Sequence, residues 1–412
     1  METPNIDSLA KQGVKFWQAY APAPTCAPSR CAIMSGNHPA RAQKTHVVGG
    51  APPTPNHKYG STMMAPWYSG RMPENETTLA RVLQSNGYVT GHSGKWHMAI
   101  DHKAFPQPED QGFDWTRSNR GARSVMPSRV SGFASNRKKD PFRLDENGYP
   151  YHQTNEDALT FLRENHQKPF FLYYATWLVH TPIHTRSEKL LEKYCKKLGV
   201  ERPNDQEGWT IKGQTNPFYC AMVEELDFYM GKVFDYLKDT EDPRWPGHKL
   251  IENTYIIFTS DNGPAAGDVP PLWINALGSN RGYETLGERY SYGTIGASFG
   301  SAVASPLGHY KFHSGEGGIR VPLIISGPQV ADSQRGRISH SRACVKDLAP
   351  TILALAGTHH PGTQYKGKAI EASTGKNLLP VIAAQTDSVY TDEDVITYEI
   401  GGNAALIKGD YK

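Results

Sequence analysis

The chain has 412 residues, 38% of them apolar, and its 44 basic and 41 acidic side chains leave a net charge of +3. That length suits one large domain plus a small one, with enough apolar material for a buried core. Balanced charge without a basic stripe or charged tail excludes nucleic acid or a membrane surface as the main partner, and no apolar run reaches the ~18 residues of a membrane span.

Taken in chain order, the first element is a helix with Thr3 before it, Pro4 at its first position, Ile6, Leu9 and Ala10 on one face, and Gly13 at its end. The chain opens Met1-Glu2-Thr3-Pro4-Asn5, without an apolar signal-like run. A second helix is expected from about Thr78 to Gly87, and Tyr88–Gly91 reads as a strand leading into Gly94-Lys95-Trp96-His97. After a loop-rich stretch at about 100–150, a helix around Glu156–Glu164 precedes Pro169–Ala175. That run is apolar on both faces, as in a central parallel strand. A long helix is expected over about Pro217–Leu237, then a buried strand at Tyr255–Thr259 that ends in Ser260-Asp261-Asn262-Gly263. A Gly/Ser/Tyr-rich insertion covers about 264–308. Beyond it come Lys311, Glu316-Gly317-Gly318, a strand at Val321–Ile325 and a helix near Val345–Ala356.

Strands alternating with helices predict an α/β fold, a largely parallel sheet with helices on both faces. Most polar motifs fall just after predicted strands, where open α/β sheets build their sites. The five cysteines, Cys26, Cys31, Cys195, Cys220 and Cys344, are scattered and odd in number, which argues against a disulfide framework. The last three sit in helix-like stretches and are expected to be core thiols.

Cys26-Ala27-Pro28-Ser29-Arg30, with Gly36 beyond, reads C-x-P-S-R-x5-G. A Pro-containing turn with an ordinary thiol is the plain reading. A Cys-x5-Arg phosphatase loop fails, because Ala32 and Asn37 stand where arginine is needed. Cys26 and Cys31 as a metal or redox pair lack a second cysteine pair.

The segment resembles the signature at which sulfatases convert cysteine to formylglycine. The resemblance continues in order through Gly91–His97, Gly112-Phe113-Asp114, His180-Thr181-Pro182, Ser260–Gly263, Lys311 with Glu316–Pro322, and Asp347–Thr351. Agreement at so many ordered segments is far more specific than any one motif. It implies an alkaline phosphatase-like fold and a sulfuric ester hydrolase whose nucleophile is the hydrate of an aldehyde made from Cys26. One hydroxyl attacks sulfur, and the other later loses its proton and expels sulfate. By the same resemblance, Lys95, His180 and Lys311 hold the sulfonate oxygens and Arg30 steadies the hydrate. His97 is the base, and Lys311 or His180 protonates the leaving alcohol. Asp261 and Asn262, with the residue made from Cys26, bind Ca2+ or Mg2+.

The chain departs from that family in one respect. Sulfatases begin with an apolar strand ending in Asp-Asp, which completes the metal site. Here only Glu2 and Asp7 are acidic before Cys26, and both fit the first helix. The end, Gly409–Lys412, resembles the middle of a strand. The expectation is therefore a catalytic domain over 1–384 lacking its first strand and the start of a small antiparallel subdomain over 385–412, with poor activity in this form. Implied partners are a sulfate ester, with Trp67, Tyr68, Trp115 and Trp273 suiting a sulfated carbohydrate, and a formylglycine-generating maturation enzyme. The implied location is periplasmic, extracellular or lysosomal. A phosphonate or phosphodiester hydrolase of the same superfamily, or a non-catalytic binder of sulfated glycans, is the alternative.

Overall fold

The computed structural model describes residues 1–47, 67–101, 103–117, 134–140, 142–181, 183–202, 215–266 and 293–412. Trp273, Pro182 and most of the 264–308 insertion lie outside the described residues. In chain order the elements begin α1 (Pro4–Gln12), β1 (Val14–Tyr20), α2 (Cys26–Ser35), α3 (Leu79–Ser85), β2 (Val89–Gly94), β3 (Trp115–Arg117), α4 (Gln153–Asn165), β4 (Phe170–Ala175), α5 (Glu188–Leu198) and α6 (Pro217–Asp239). They continue with β5 (Ile256–Thr259), α7 (Gly296–Ala304), α8 (Glu316–Ile319), β6 (Leu323–Ser326), β7 (Ile338–Cys344) and α9 (Leu348–Leu355). Last come β8 (Gln364–Tyr365), β9 (Lys368–Ala369), α10 (Leu379–Ile382), β10 (Val395–Ile400) and β11 (Asn403–Lys408). Among the described residues no helix is long and apolar enough to cross a membrane.

Local chemistry explains most boundaries. α1 has Pro4 in its first turn, Asp7 near its positive end and Lys11 near its negative end. Thr78, Ser187 and Asn216 cap α3, α5 and α6 through side-chain oxygens that accept from Arg81, Leu190 and Tyr219 N–H groups. The first helix ends at Gly13 as expected, and Val14–Phe16 then opens a strand in which Val14, Phe16 and Ala19 are buried while Trp17 is exposed. One reading needs correction. Cys344 ends β7 rather than sitting in a helix, although it is buried as expected.

The strands form two main sheets. One has the order β3–β2–β4, all parallel. The other has the order β5–β6–β1–β7, parallel between β1 and β7 but with β6 antiparallel to both neighbours. Among the described residues β4 and β5 each have one unpaired edge, and both line a cavity of about 1050 Å3. Its apolar walls come from β4, β5, Met230 and Phe234 of α6, and Ile352 and Leu355 of α9. This cavity is why Phe170–Tyr174 and Ile256–Thr259 are only half-buried, where the sequence pattern predicts buried central strands.

The hairpin β10–β11 is antiparallel. It shares a core with the main body, since Ile396, Tyr398 and Ile407 pack with Tyr20, Ile319 and Cys344. Gly409–Lys412 turns back on β11 through a bridge between Lys408 and Tyr411, instead of continuing a strand.

Several ionisable groups are buried away from solvent. Burial lowers His92 and His184 to about 3 and His38 and His152 to about 4. Burial also raises Glu225 to about 8 and Asp347 to about 6. The four histidines take up protons on unfolding as pH falls below 6.5, so their stability is lost in acid. The two carboxyls work the other way, because the folded state binds their protons first. His180, also lowered to about 3, makes a fifth histidine, and five outweigh two, for a net uptake of about three protons on unfolding near pH 5.5. The expected outcome is a melting temperature that falls by several degrees between pH 7 and 5.5, measured by scanning calorimetry.

Candidate active site

Cys26 is the first residue of α2, a helix whose ten residues are all buried. Thr25 before it is extended, and Ser29 Oγ donates to Ala23 O at 2.9 Å, fixing the entry to the helix. The helix N-terminus favours negative charge at Cys26. Burial opposes ionisation of its thiol, yet Lys95, a hydrogen bond with His97, and Lys311 together bring it well below its ordinary value. Cys31, further along the same helix, meets mainly burial, which pushes its thiol up to about 12. Position on the helix and cationic neighbours, not helix membership, set Cys26 apart.

Other site residues arrive at strand carboxyl ends. β2 delivers Lys95 and His97. Gly94 permits this with φ 107°, because a Cβ there would stand 2.1 Å from Ala175 O, the oxygen that accepts from Lys95 N–H at 2.7 Å. His97 itself is left-handed, φ 63°, a costly conformation for a non-glycine residue that is found at functional sites. β4 delivers Trp177 and His180, and β5 delivers Asp261 and Asn262. Gly263 lets the β5 exit pack onto the 316–318 turn, since a Cβ would lie 1.8 Å from Gly317 O. Lys311 hangs from that exit, its N–H donating to Pro264 O at 2.9 Å.

The structure thus brings together every residue expected at the site: Cys26, Arg30, Lys95, His97, His180, Asp261, Asn262 and Lys311. It changes some of the expected pairings. Arg30 Nε donates to Asp261 Oδ2 at 2.7 Å, and its Nη1 donates to Lys95 O at 2.7 Å and Tyr173 Oη at 3.3 Å. Arg30 is therefore committed to holding β5 and β2 against α2. Lys95 Nζ is 4.0 Å from Asp261 Oδ2. Burial would raise the Asp261 carboxyl, but Arg30, Lys95 and Lys311 hold it well below the usual carboxylate range. His180 Nδ1 lies 2.7 Å from Thr181 O, so that nitrogen carries the proton and Nε2 accepts from Lys311 Nζ at 3.3 Å. Burial, then Lys95 and Lys311, lower His180 to about 3, so its ring is neutral at neutral pH.

A divalent cation suits part of this donor set. Asn262 Oδ1 is buried without a partner among the described residues, as a ligand oxygen would be. Yet Asp261 Oδ2 is held by Arg30, and Arg30, Lys95 and Lys311 outnumber the one carboxylate. No group of three His, Cys, Asp or Glu able to hold a metal occurs among the described residues. Asp261, Asn262 and the Cys26 position supply only part of the oxygen shell of Ca2+ or Mg2+, which among the described residues would need water or further ligands to complete it.

Tyr173 and Trp177 were missed by sequence reasoning. Tyr173 was legible in principle, as one of the alternating residues of β4. Trp177 carries no motif of its own, and only the fold puts it beside Lys95.

Cationic side chains gathered around Cys26 and Asp261 at the carboxyl ends of β2, β4 and β5 make an anion-binding site on an α/β fold. The particular family follows from comparison: the chain belongs to the sulfatase family, whose model matches residues 1–358. It is 27% identical to an uncharacterized sulfatase of Schizosaccharomyces pombe, covering 100% of this chain and 81% of that protein. It is 28% identical to the N-acetylgalactosamine-6-sulfatase of Canis lupus familiaris, covering 100% of this chain and 66% of that enzyme. A solved structure in complex with k-i-k-neocarrahexaose superposes with a TM-score of 0.63 at 23% identity, covering 98% of this chain and 76% of that one. The last likeness shows the fold.

Arg30 is the site's internal tie, so Arg30→Met is expected to destabilise the fold by about 3 kcal/mol in urea unfolding, because Asp261 stays buried without its main partner. Arg30→Lys is expected to recover less than half of that, since an ammonium cannot reach Asp261, Lys95 O and Tyr173 together.

Proposed function

We propose that this chain's site hydrolyses a sulfate ester of a carbohydrate alcohol, with the nucleophile derived from Cys26. The observation that carries the reading is Cys26 at a buried helix N-terminus with its ionisation favoured by Lys95, His97 and Lys311. Formylglycine at this position, once hydrated by one water, would supply two hydroxyls on one carbon, one to attack sulfur and one whose deprotonation would release sulfate and restore the aldehyde.

The chain's own residues then divide the work. Lys95 and Lys311 neutralise the sulfonate oxygens in a site screened from water, where fixed charges act most strongly. His180 is neutral. It holds Lys311 through Nε2, which leaves the Lys311 ammonium as the proton source for the departing alcohol. His97, held beside Cys26, is the base for the remaining hydroxyl. Arg30 positions Asp261 and the Lys95 backbone. The carbohydrate preference is supported by relatedness to the dog N-acetylgalactosamine-6-sulfatase. A maturation enzyme acting on Cys26 and an exported location, in periplasm, exterior or lysosome, belong to the same proposal.

One observation favours a second reading. The single carboxylate among three site cations suits anion binding without turnover, and the chain would then hold sulfated glycans with Cys26 unmodified. Mass spectrometry of the Cys26 peptide, after co-expression with a formylglycine-generating enzyme, separates the two.

The sulfatase reading expects an aldehyde at Cys26 and turnover of 4-nitrophenyl sulfate faster than that of bis(4-nitrophenyl) phosphate. Cys26→Ala is expected to lower that turnover by about a thousandfold or more, and Lys311→Ala by roughly a hundred- to a thousandfold. An intact thiol with no turnover supports the binder, and faster phosphodiester cleavage supports a phosphodiesterase.

A further inference from the structure

Two of the site's lysines each lie over an aromatic face. Lys95 Nζ is 5.7 Å from the Trp177 ring centroid, and Lys311 Nζ is 5.5 Å from that of Phe312. Neither ring is explained by the core. Phe312 is 49% exposed, and its backbone is left-handed, φ 72°, which a bulky residue adopts only under strain. That strain is held in place from two sides. Phe312 N–H donates to Pro24 O at 2.8 Å, just before Cys26, and Lys311 N–H is tied to the β5 exit. Trp177 lines the polar end of the cavity with Lys95, His180 and Asn262. Its indole Nε1 is buried and has no hydrogen-bond partner among the described residues.

These features ask for a ligand group of definite chemistry. An exposed, rigid aromatic face beside an anion-holding ammonium suits a flat apolar surface attached to the anion. A buried unpaired N–H is costly until it meets an acceptor. A pyranose offers both, since its C–H face is apolar and its hydroxyls accept hydrogen bonds. A plain aryl group could stack but would leave the Trp177 N–H unpaired.

We infer that Phe312 and Trp177 form the leaving-group subsite and seat the sugar ring of a carbohydrate sulfate, Phe312 by stacking and Trp177 by donating to a ring hydroxyl. The assignment rests on the sulfate pocket proposed above, with Lys95 and Lys311 holding the sulfate.

The test is isothermal titration of the whole chain with sodium sulfate, phenyl sulfate and D-galactose 6-sulfate. Phe312→Ala is expected to weaken D-galactose 6-sulfate about five- to tenfold while changing sodium sulfate less than about twofold, and Phe312→Tyr is expected to restore binding. Because Phe312 is exposed, these variants keep the fold. Trp177→Phe, which keeps a ring and removes the N–H, is expected to weaken D-galactose 6-sulfate about three- to tenfold and leave phenyl sulfate unchanged. Equal losses for sodium sulfate and the sugar sulfate, or no loss for the sugar sulfate, would overturn the subsite while leaving the sulfate pocket standing. A wild-type chain that binds none of the three would overturn the pocket and the subsite together.

Discussion

Arg30 reaches from α2 to Asp261 at the end of β5 and to the Lys95 carbonyl at the end of β2. These contacts join the helix that bears Cys26 to a strand of each main sheet. Everything else in the site hangs from that junction. Lys95 and Asp261 are held at 4.0 Å, and Lys311 enters through the segment that follows Asp261. A guanidinium is suited to this role, because its planar fork donates to Asp261 through Nε and to the Lys95 carbonyl through Nη1 in two fixed directions. The ion pair is buried, so breaking it costs far more than its net attraction would suggest.

The same junction sits at the polar end of the cavity between β4 and β5. Below it the walls are apolar, and above it the side chains are charged. The two ends obey different physics. The apolar part leaves two strand edges without ladder partners among the described residues, which an aqueous protein ordinarily covers. The charged part gathers three cations about one carboxylate, which favours an anion and resists a bare divalent ion. Any oxygen ligands that bring a metal to Asp261 and Asn262 would also have to offset that positive charge.

Much of this was legible in the sequence, and the pattern of what was not is physical. Lys95, His97, His180, Asp261 and Asn262 follow strand ends, and Cys26 and Arg30 share one short motif on α2, so local motif and local structure pointed to the same place. The antiparallel direction of β6 was not legible, because Leu323–Ser326 reads alike in either direction. β7 was missed because its alternation, from exposed Ile338 to buried Cys344, is imperfect. The partner of Arg30 was misjudged, since a charge's nearest neighbour is a tertiary fact that no local spacing encodes. Trp177 and Phe312 escaped for the same reason: their distinction lies in which lysines they meet.

The burial of α2 has a consequence in time. Cys26, Pro28 and Arg30 are all inside the folded body, with Cys26 only 3% accessible. An enzyme that must grip an extended C-x-P-x-R stretch cannot do so once those residues are wound into a covered helix. Any chemistry performed on Cys26 by another protein therefore belongs to the nascent or unfolded chain, ahead of the Arg30–Asp261 closure. Folding and any such maturation would then compete for one segment, and a mutation that merely hastens closure of that helix would leave a well-folded protein with an unconverted thiol.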